Sequence, residues 1–237
     1  MSKKDSLGDR MKSFYEDRFK TFLPRRAYTL IRIDGKAFHT YTRGLKRPFD
    51  IDFVEDMDKT AMYLCQNIMC AKFAYVQSDE ISILMTDFDT LNTDAWFNNN
   101  LQKMVSVSAS MATSSFNKYR LSRSTPETMR WAEFDSRVFQ IPSKTEVENY
   151  FIWRQQDATR NSISSLAQSM YSHKQLLGKS SSDMQELCFQ KGVNWNDLDT
   201  KLKRGRFIDY IDTKWQSLEC PVFTKQREFL SSRINDL

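Results

Sequence analysis

The chain is poor in the residue types that most narrowly define a chemistry. Among its 237 residues are only two histidines, His39 and His173, and four cysteines, Cys65, Cys70, Cys188 and Cys220, with no C-x-x-C pair. That argues against a structural zinc site, a disulfide framework and an imidazole-rich metal centre, and leaves a catalytic histidine short of candidates. A metal working here would need oxygen ligands, which points to magnesium or a similarly hard ion. Glycine (six) and proline (five) are scarce, and no Pro/Gly/Ser-rich linker divides the chain. The weakest joint is Gly178-Lys179-Ser180-Ser181-Ser182, with a smaller polar break at Arg120–Met129. Long apolar runs are missing too: Tyr28-Thr29-Leu30-Ile31 is typical, against the ~20 residues of a membrane helix. No apolar stretch follows the lysines of Met1-Ser2-Lys3-Lys4-Asp5, so no secretory leader is expected, and the reading is a soluble, cytoplasmic protein without a membrane partner. The formal net charge of +5 permits a polyanionic partner without demanding one.

What is present is a regular alternation of patterns. Residues 28–33 read as a strand that stops at Asp34-Gly35 and leads into a basic loop carrying Arg43, Lys46 and Arg47. From Asp52 to Cys70 apolar residues recur at helical spacing, at Phe53, Met57, Ala61, Leu64 and Ile68. Two apolar runs, Phe73–Val76 and Ile81–Met85, flank Gln77-Ser78-Asp79-Glu80 and predict a hairpin. A long helix is expected over 94–119, a strand from Ala132 to Ile141, and a helix that Ser143 and Glu146 start as a capping box and Gly178 ends. Ser182 and Gln185 repeat the capping spacing before a shorter helix. The order through residue 141 is β-α-β-β-α-β, the ferredoxin-like arrangement of the α/β (α+β) class. The predicted organisation is thus residues 1–142 as a catalytic sheet domain and 143–237 as a mainly helical extension packed on it.

In that topology the first and third strands are neighbours, so Asp34 and Asp79 converge on one edge of the sheet. Two adjacent carboxylates repel unless a cation lies between them, and such a pair suits two-metal phosphoryl transfer. The same acids are also ordinary turn residues, and from spacing both readings stand. The turn at Gly35–His39 offers backbone N–H groups to a triphosphate, or is a plain strand-to-loop turn. Arg43, Lys46, Arg47, Lys103 and Arg137 suit phosphate or RNA backbone, or form a solvated surface. The run Lys201, Lys203, Arg204 and Arg206 reads as surface. Gly178-Lys179-Ser180 lacks the leading glycine and strand of a P-loop and reads as a helix stop.

The segments Arg32-Ile33-Asp34-Gly35-Lys36-Ala37-Phe38-His39 and Tyr75-Val76-Gln77-Ser78-Asp79-Glu80 together resemble the tRNA-histidine guanylyltransferase family. Phe134-Asp135-Ser136-Arg137 and Trp153-Arg154-Gln155-Gln156-Asp157 extend the resemblance, which covers residues 10–165 well and the remainder loosely. It implies a polymerase-like palm fold and nucleotide addition to the 5′ end of tRNA in the 3′→5′ direction. It further implies that Asp34, Asp79 and the Gly35 carbonyl hold two magnesium ions, with Glu80 in support. Lys36, Ala37, Phe38, His39 and Ser78 would line the nucleotide pocket for ATP or GTP. Arg32, Lys46, Arg47, Lys103, Arg137 and Asn161 would contact phosphates or RNA. Relatives assemble as tetramers, so a homo-oligomer is expected.

One departure separates the chain from the eukaryotic pattern. Where those enzymes carry His-Ile-Asn-Asn, this chain has Thr159, Arg160, Asn161 and Ser162, and only the asparagine is kept. The likeness is therefore to the guanylyltransferase-like branch that repairs 5′-truncated tRNA by templated addition. Alternatives are guanosine addition to tRNA-His, a non-catalytic RNA-binding module on the same sheet order, and a palm-type nucleotide cyclase.

Overall fold

The computed structural model describes residues 6–123, 125 and 130–236; the pentapeptide at the N-terminus and part of the break at Arg120–Met129 lie outside them. Six strands form one sheet: β1 (Tyr28–Gly35), β2 (Ala71–Gln77), β3 (Glu80–Thr86), β4 (Phe134–Ile141), β5 (Arg206–Ile211) and β6 (Lys214–Glu219). Their order is β4-β1-β3-β2-β5-β6 and every neighbouring pair is antiparallel. The first four strands have the expected ferredoxin-like order. The helices are α1 (Ser6–Met11), α2 (Phe38–Tyr41), α3 (Ile51–Asn67), α4 (Leu101–Leu121), α5 (Lys144–Met170), α6 (His173–Leu176), α7 (Ser181–Gln190), α8 (Thr200–Arg204) and α9 (Glu228–Ser231).

The central strands are apolar on both faces because both are covered. Ile31, Ile33, Ile81 and Ile83 pack on one side against Met57 and Leu64 of α3 and Met104 and Phe116 of α4. Tyr28, Leu30, Tyr75 and Leu84 pack on the other against Tyr150 and Phe151 of α5 and the C-terminal Phe223 and Leu230. A third cluster joins the distal half of α5, through Ile163 and Leu166, to α6, Cys188 of α7 and Trp195.

Several boundaries differ from the expected ones for local reasons. The helix predicted over 94–119 begins at Leu101, because Phe97 and Asn98 take positive φ (52° and 50°) and break the preceding turn. The helix after Ser143 ends at Met170 instead of continuing to Gly178: Tyr171 is extended, and its hydroxyl donates to the Leu187 carbonyl at 2.7 Å, tying the chain to α7. The cap of α7 is Ser180, two residues before the expected Ser182, with the Asp183 carboxylate accepting from the Ser180 N–H at 2.9 Å. The C-terminal part is not only helical. Its β5–β6 hairpin, turned by Asp212 and Thr213 at positive φ (49° and 65°), adds two strands to the sheet beside β2. Turn residues other than Asn-Gly or Asp-Gly give such a hairpin a weak sequence signal.

Candidate active site at one end of the central strands

The register places Asp34 opposite Glu80 on β3 and opposite Asp135 on β4. Asp79 is the second residue of the two-residue turn between β2 and β3, whose first residue, Ser78, takes φ of +45°. Asp34 and Asp79 therefore share the same sheet end. Burial pushes the Asp79 carboxyl up to about 6, the nearby Asp34 and Glu80 charges push the same way, and its backbone and Ser78 hydrogen bonds only partly oppose this. The Asp34 side chain keeps 32% of its surface exposed, with the Arg137 guanidinium 3.7 Å from it and 3.3 Å from Asp135.

Gly35 carries the chain from this strand end into the basic loop. A Cβ there would fall 2.2 Å from the Phe38 ring, so only glycine lets the backbone pass over it. Phe38 is buried at the centre of an aromatic group with Tyr41, Phe53, Phe116 and Phe134. Its position corrects the expectation that it lines the pocket: it anchors the loop from below. Ala37 takes φ of +53° and is exposed, and Lys36 pairs with Glu133 at 2.5 Å on the surface.

Beside the acids lies a cavity of about 420 Å³. His39, Lys46, Arg47, Ser78 and Asn161 all line it, as expected residues brought together, along with Arg43, Gln77, Lys201 and Arg206. Its far wall is a stripe of α5, Ala158, Asn161, Ser162, Ser165 and Ser169, which successive helical turns place on one face.

Three expected residues stand elsewhere. Arg32 is not free for RNA, because it donates to the Glu80 carboxylate at 2.8 and 3.0 Å. Glu80 itself is buried and held by two hydrogen bonds from Arg154, at 2.8 and 2.9 Å. Lys103 lies on the first turn of α4, where the neighbouring Asn99 is fixed to Pro24 and Asp87. That is the Tyr28–Thr86 end of the sheet, a strand length of roughly 20 Å from Asp34 at ~3.3 Å per residue.

The run read as surface is also corrected in part. Arg206 is buried and donates to Asp58 at 2.7 Å, and Lys203 is buried with its ammonium on the Asn196 carbonyl at 2.6 Å. Burial of a charge pair needs a partner 148 residues away, which local spacing does not display. Two buried polar atoms in the cavity wall, Gln77 Oε1 and Arg206 Nη2, have no partner in the protein.

No group of three or more His, Cys, Asp or Glu among the described residues forms a ready-made metal cage. Asp34 and Asp79, two close carboxylates at a partly open edge, instead fit a magnesium ion that keeps waters and takes its other ligands from substrate phosphates.

These features coincide with a known sequence pattern. The family model described as tRNAHis guanylyltransferase matches residues 8–142. The chain belongs to this family. As a member it is a tRNA guanylyltransferase-like nucleotidyltransferase. A bacterial tRNA(His) guanylyltransferase-like protein solved in complex with ATP is 49% identical, with a TM-score of 0.91 over 97% of this chain and 99% of that one. The structure of such a bacterial protein in complex with GTP matches at 46% identity and a TM-score of 0.83, over the same shares. The tRNA(His) guanylyltransferase of Debaryomyces hansenii is 28% identical over 206 residues, 80% of this chain and 76% of its own length. Within the guanylyltransferase pattern, the Trp153-Arg154-Gln155-Gln156-Asp157 stretch has a visible structural use: Gln155 accepts from the Phe223 N–H at 2.8 Å and donates to the Pro221 carbonyl at 2.8 Å, fixing α5 to the C-terminal segment. Thr159 turns its hydroxyl onto the Gln155 carbonyl at 2.9 Å.

Proposed function

We propose that the protein is a magnesium-dependent nucleotidyltransferase that adds nucleotides to the 5′ end of tRNA in the 3′→5′ direction, repairing 5′-truncated tRNA against a template strand. The observation that carries this reading is the junction of Asp34 and Asp79 with a basic cavity lined by His39, Lys46, Arg47 and Ser78. The related structures in complex with ATP and GTP support nucleoside triphosphates as substrates.

In the first half-reaction a 5′-monophosphate end attacks the α-phosphate of ATP or GTP, and pyrophosphate leaves. In the second, the 3′-hydroxyl of the incoming nucleotide attacks the activated 5′ phosphate, and the nucleoside monophosphate leaves. Two bound magnesium ions would supply activation of the attacking hydroxyl and charge neutralisation at the leaving group. Asp34 and Asp79 would hold them with the Gly35 carbonyl. Lys46, Arg47 and Arg43 neutralise phosphate charge along the cavity mouth, while Arg137, beside Asp34, meets the RNA phosphate from the β4 side. Residues 1–142 supply the acids and 143–237 supply the far cavity wall through α5, so the two parts act as one unit.

The exposed Met11, Phe14, Tyr15 and Phe19 of the N-terminal segment support a homo-oligomer, in keeping with a tetramer, since a group of exposed apolar side chains marks an interface. A cytoplasmic setting follows from the tRNA substrate and from the lack, among the described residues, of any helix long and apolar enough to cross a membrane. The test is extension of intact and 5′-truncated tRNAs with each nucleotide supplied separately. Templated addition to truncated ends is expected. The similarity to tRNA(His) guanylyltransferases favours guanosine addition to tRNA-His as the second reading. Threonine at position 159 has no group titrating near neutral pH, and efficient guanosine addition opposite an unpaired A would support that second reading instead.

A further inference from the structure

Glu80 shares a sheet face with Asp34. The two are direct cross-strand partners on β3 and β1, so their Cβ atoms stand about 4.5–5.5 Å apart. Nothing in the backbone keeps the Glu80 carboxylate from joining Asp34 and Asp79; the side chains around it do. Arg154 reaches across from α5 with Nε on one carboxylate oxygen and Nη2 on the other, at 2.8 and 2.9 Å. Arg32 takes the second oxygen again at 2.8 Å. Trp153 lies against both guanidiniums, its ring centre 4.3 Å from Arg154 and 6.0 Å from Arg32. Arg154 also donates to Asp157 at 2.8 Å, and Asp157 accepts from Asn161 at 3.3 Å, a residue of the cavity wall. One side chain thus joins the acid-bearing turn to the helix that closes the cavity.

We infer that Arg154 is a positioning residue that holds Glu80 out of the carboxylate pair, so that the metal-binding set stays at Asp34 and Asp79 and the site remains open to substrate phosphate. This rests on the reading of those two acids as the metal ligands. Its physical basis is the cost of a third free carboxylate at the same edge. A released Glu80 would add negative charge where the triphosphate must approach, and would fill a coordination position that the phosphate needs. The bidentate fork is a task for arginine, since a lysine ammonium cannot bond both oxygens in one plane.

The experiment is direct Mn2+ binding by calorimetry, alongside thermal unfolding, on the full chain and four variants. Asp79→Asn should weaken Mn2+ at least tenfold; if it does not, the metal reading of Asp34 and Asp79 fails and the inference with it. With that control satisfied, Glu80→Gln should leave Mn2+ affinity within twofold of the parent. Arg154→Met should tighten Mn2+ about tenfold while weakening MnATP, and the double variant Arg154→Met/Glu80→Gln should return Mn2+ affinity to the parent value. Should Arg154→Met not fold, Arg154→Lys takes its place, with a smaller tightening expected and reversed by Glu80→Gln. A Glu80→Gln loss equal to that of Asp79→Asn would make Glu80 a ligand and overturn the inference. So would an Arg154 variant that lowers the melting temperature but leaves Mn2+ affinity unchanged.

Discussion

Replacing Asp79 with asparagine should make the metal-free protein more stable and abolish its activity. Burial and the neighbouring acids raise the Asp79 carboxyl from an ordinary 3.8 to about 6, so in the folded state its charged form is disfavoured. At ~1.4 kcal/mol for each tenfold, that corresponds to ~3 kcal/mol, reduced to roughly 2 kcal/mol by the solvent that still reaches the turn. The direction with pH follows from which state ionises first. Below pH 3.8 the carboxyl is neutral folded and unfolded, and the substitution gains nothing. Between 3.8 and about 6 the unfolded chain ionises while the folded one resists, and the parent loses stability as pH rises. Above 6 the whole difference is in place. Asparagine keeps an oxygen for the Ser78 hydroxyl and carries no charge, so Asp79→Asn should melt roughly 4–8 °C higher than the parent at pH 8, at ~2–4 °C per kcal/mol for a chain of this size. At pH 4 the two should nearly coincide. The assay is thermal unfolding in chelator across that range. Added Mg2+ should then raise the parent's midpoint and leave the variant's unchanged, because only a state that binds the ion gains from it. An Asp79→Asn variant less stable than the parent at pH 8, or a gain that persists at pH 4, would refute the reasoning.

Three other outcomes follow from named contacts. Asp34→Ala and Asp79→Ala should each cost several orders of magnitude in 5′-end extension, and the double variant little more than either, since residues acting as one unit are not additive; single-turnover kinetics on a truncated tRNA would show this. Gly35→Ala drives a methyl group to within 2.2 Å of the Phe38 ring and should cost about 1–3 kcal/mol in urea unfolding. Arg206→Met removes the Asp58 partner from a buried pair closed also by the Ser217 hydroxyl at 2.7 Å, and should cost about 3–5 kcal/mol by the same measurement, whereas the exposed Lys36→Met should fall within about 0.5 kcal/mol of the parent.

How much of this was legible in the sequence depended on whether the cause was local. The first four strands and their order could be read because each face of β1 and β3 is apolar or polar by residue type, and because Asp34-Gly35 and Ser78-Asp79 interrupt those runs. The helix starts at Asp50 and Ser143 are marked by side chains that accept from the third residue on, at 2.9 and 3.3 Å. The β5–β6 hairpin was not legible as part of the sheet. It pairs with β2 over Ala74, Tyr75 and Val76 only, and Gly205 permits that approach by letting its backbone lie against the Tyr75 hydroxyl and the Val76 carbonyl. Neither neighbour is close in sequence.

The site divides along the same line. Asp34, Asp79 and Gly35 were visible because turn chemistry and sheet order together put them at one edge. The part that escaped is the set of groups that decide what each acid does. A carboxylate in a Gln-Ser-Asp-Glu turn reads as one more ligand until a residue 74 positions away grips both its oxygens. Arginine on a helix reads as surface charge until the helix is laid across the sheet with Arg154 inward. Motif spacing therefore identifies which acids can meet, whereas their division into two exposed at the cavity edge and one locked beneath it is a property of the packing of α5. That division is also what makes the edge workable: with Glu80 neutralised in place by Arg32 and Arg154, the charge left facing the substrate is that of Asp34 and Asp79, with Arg137 beside them.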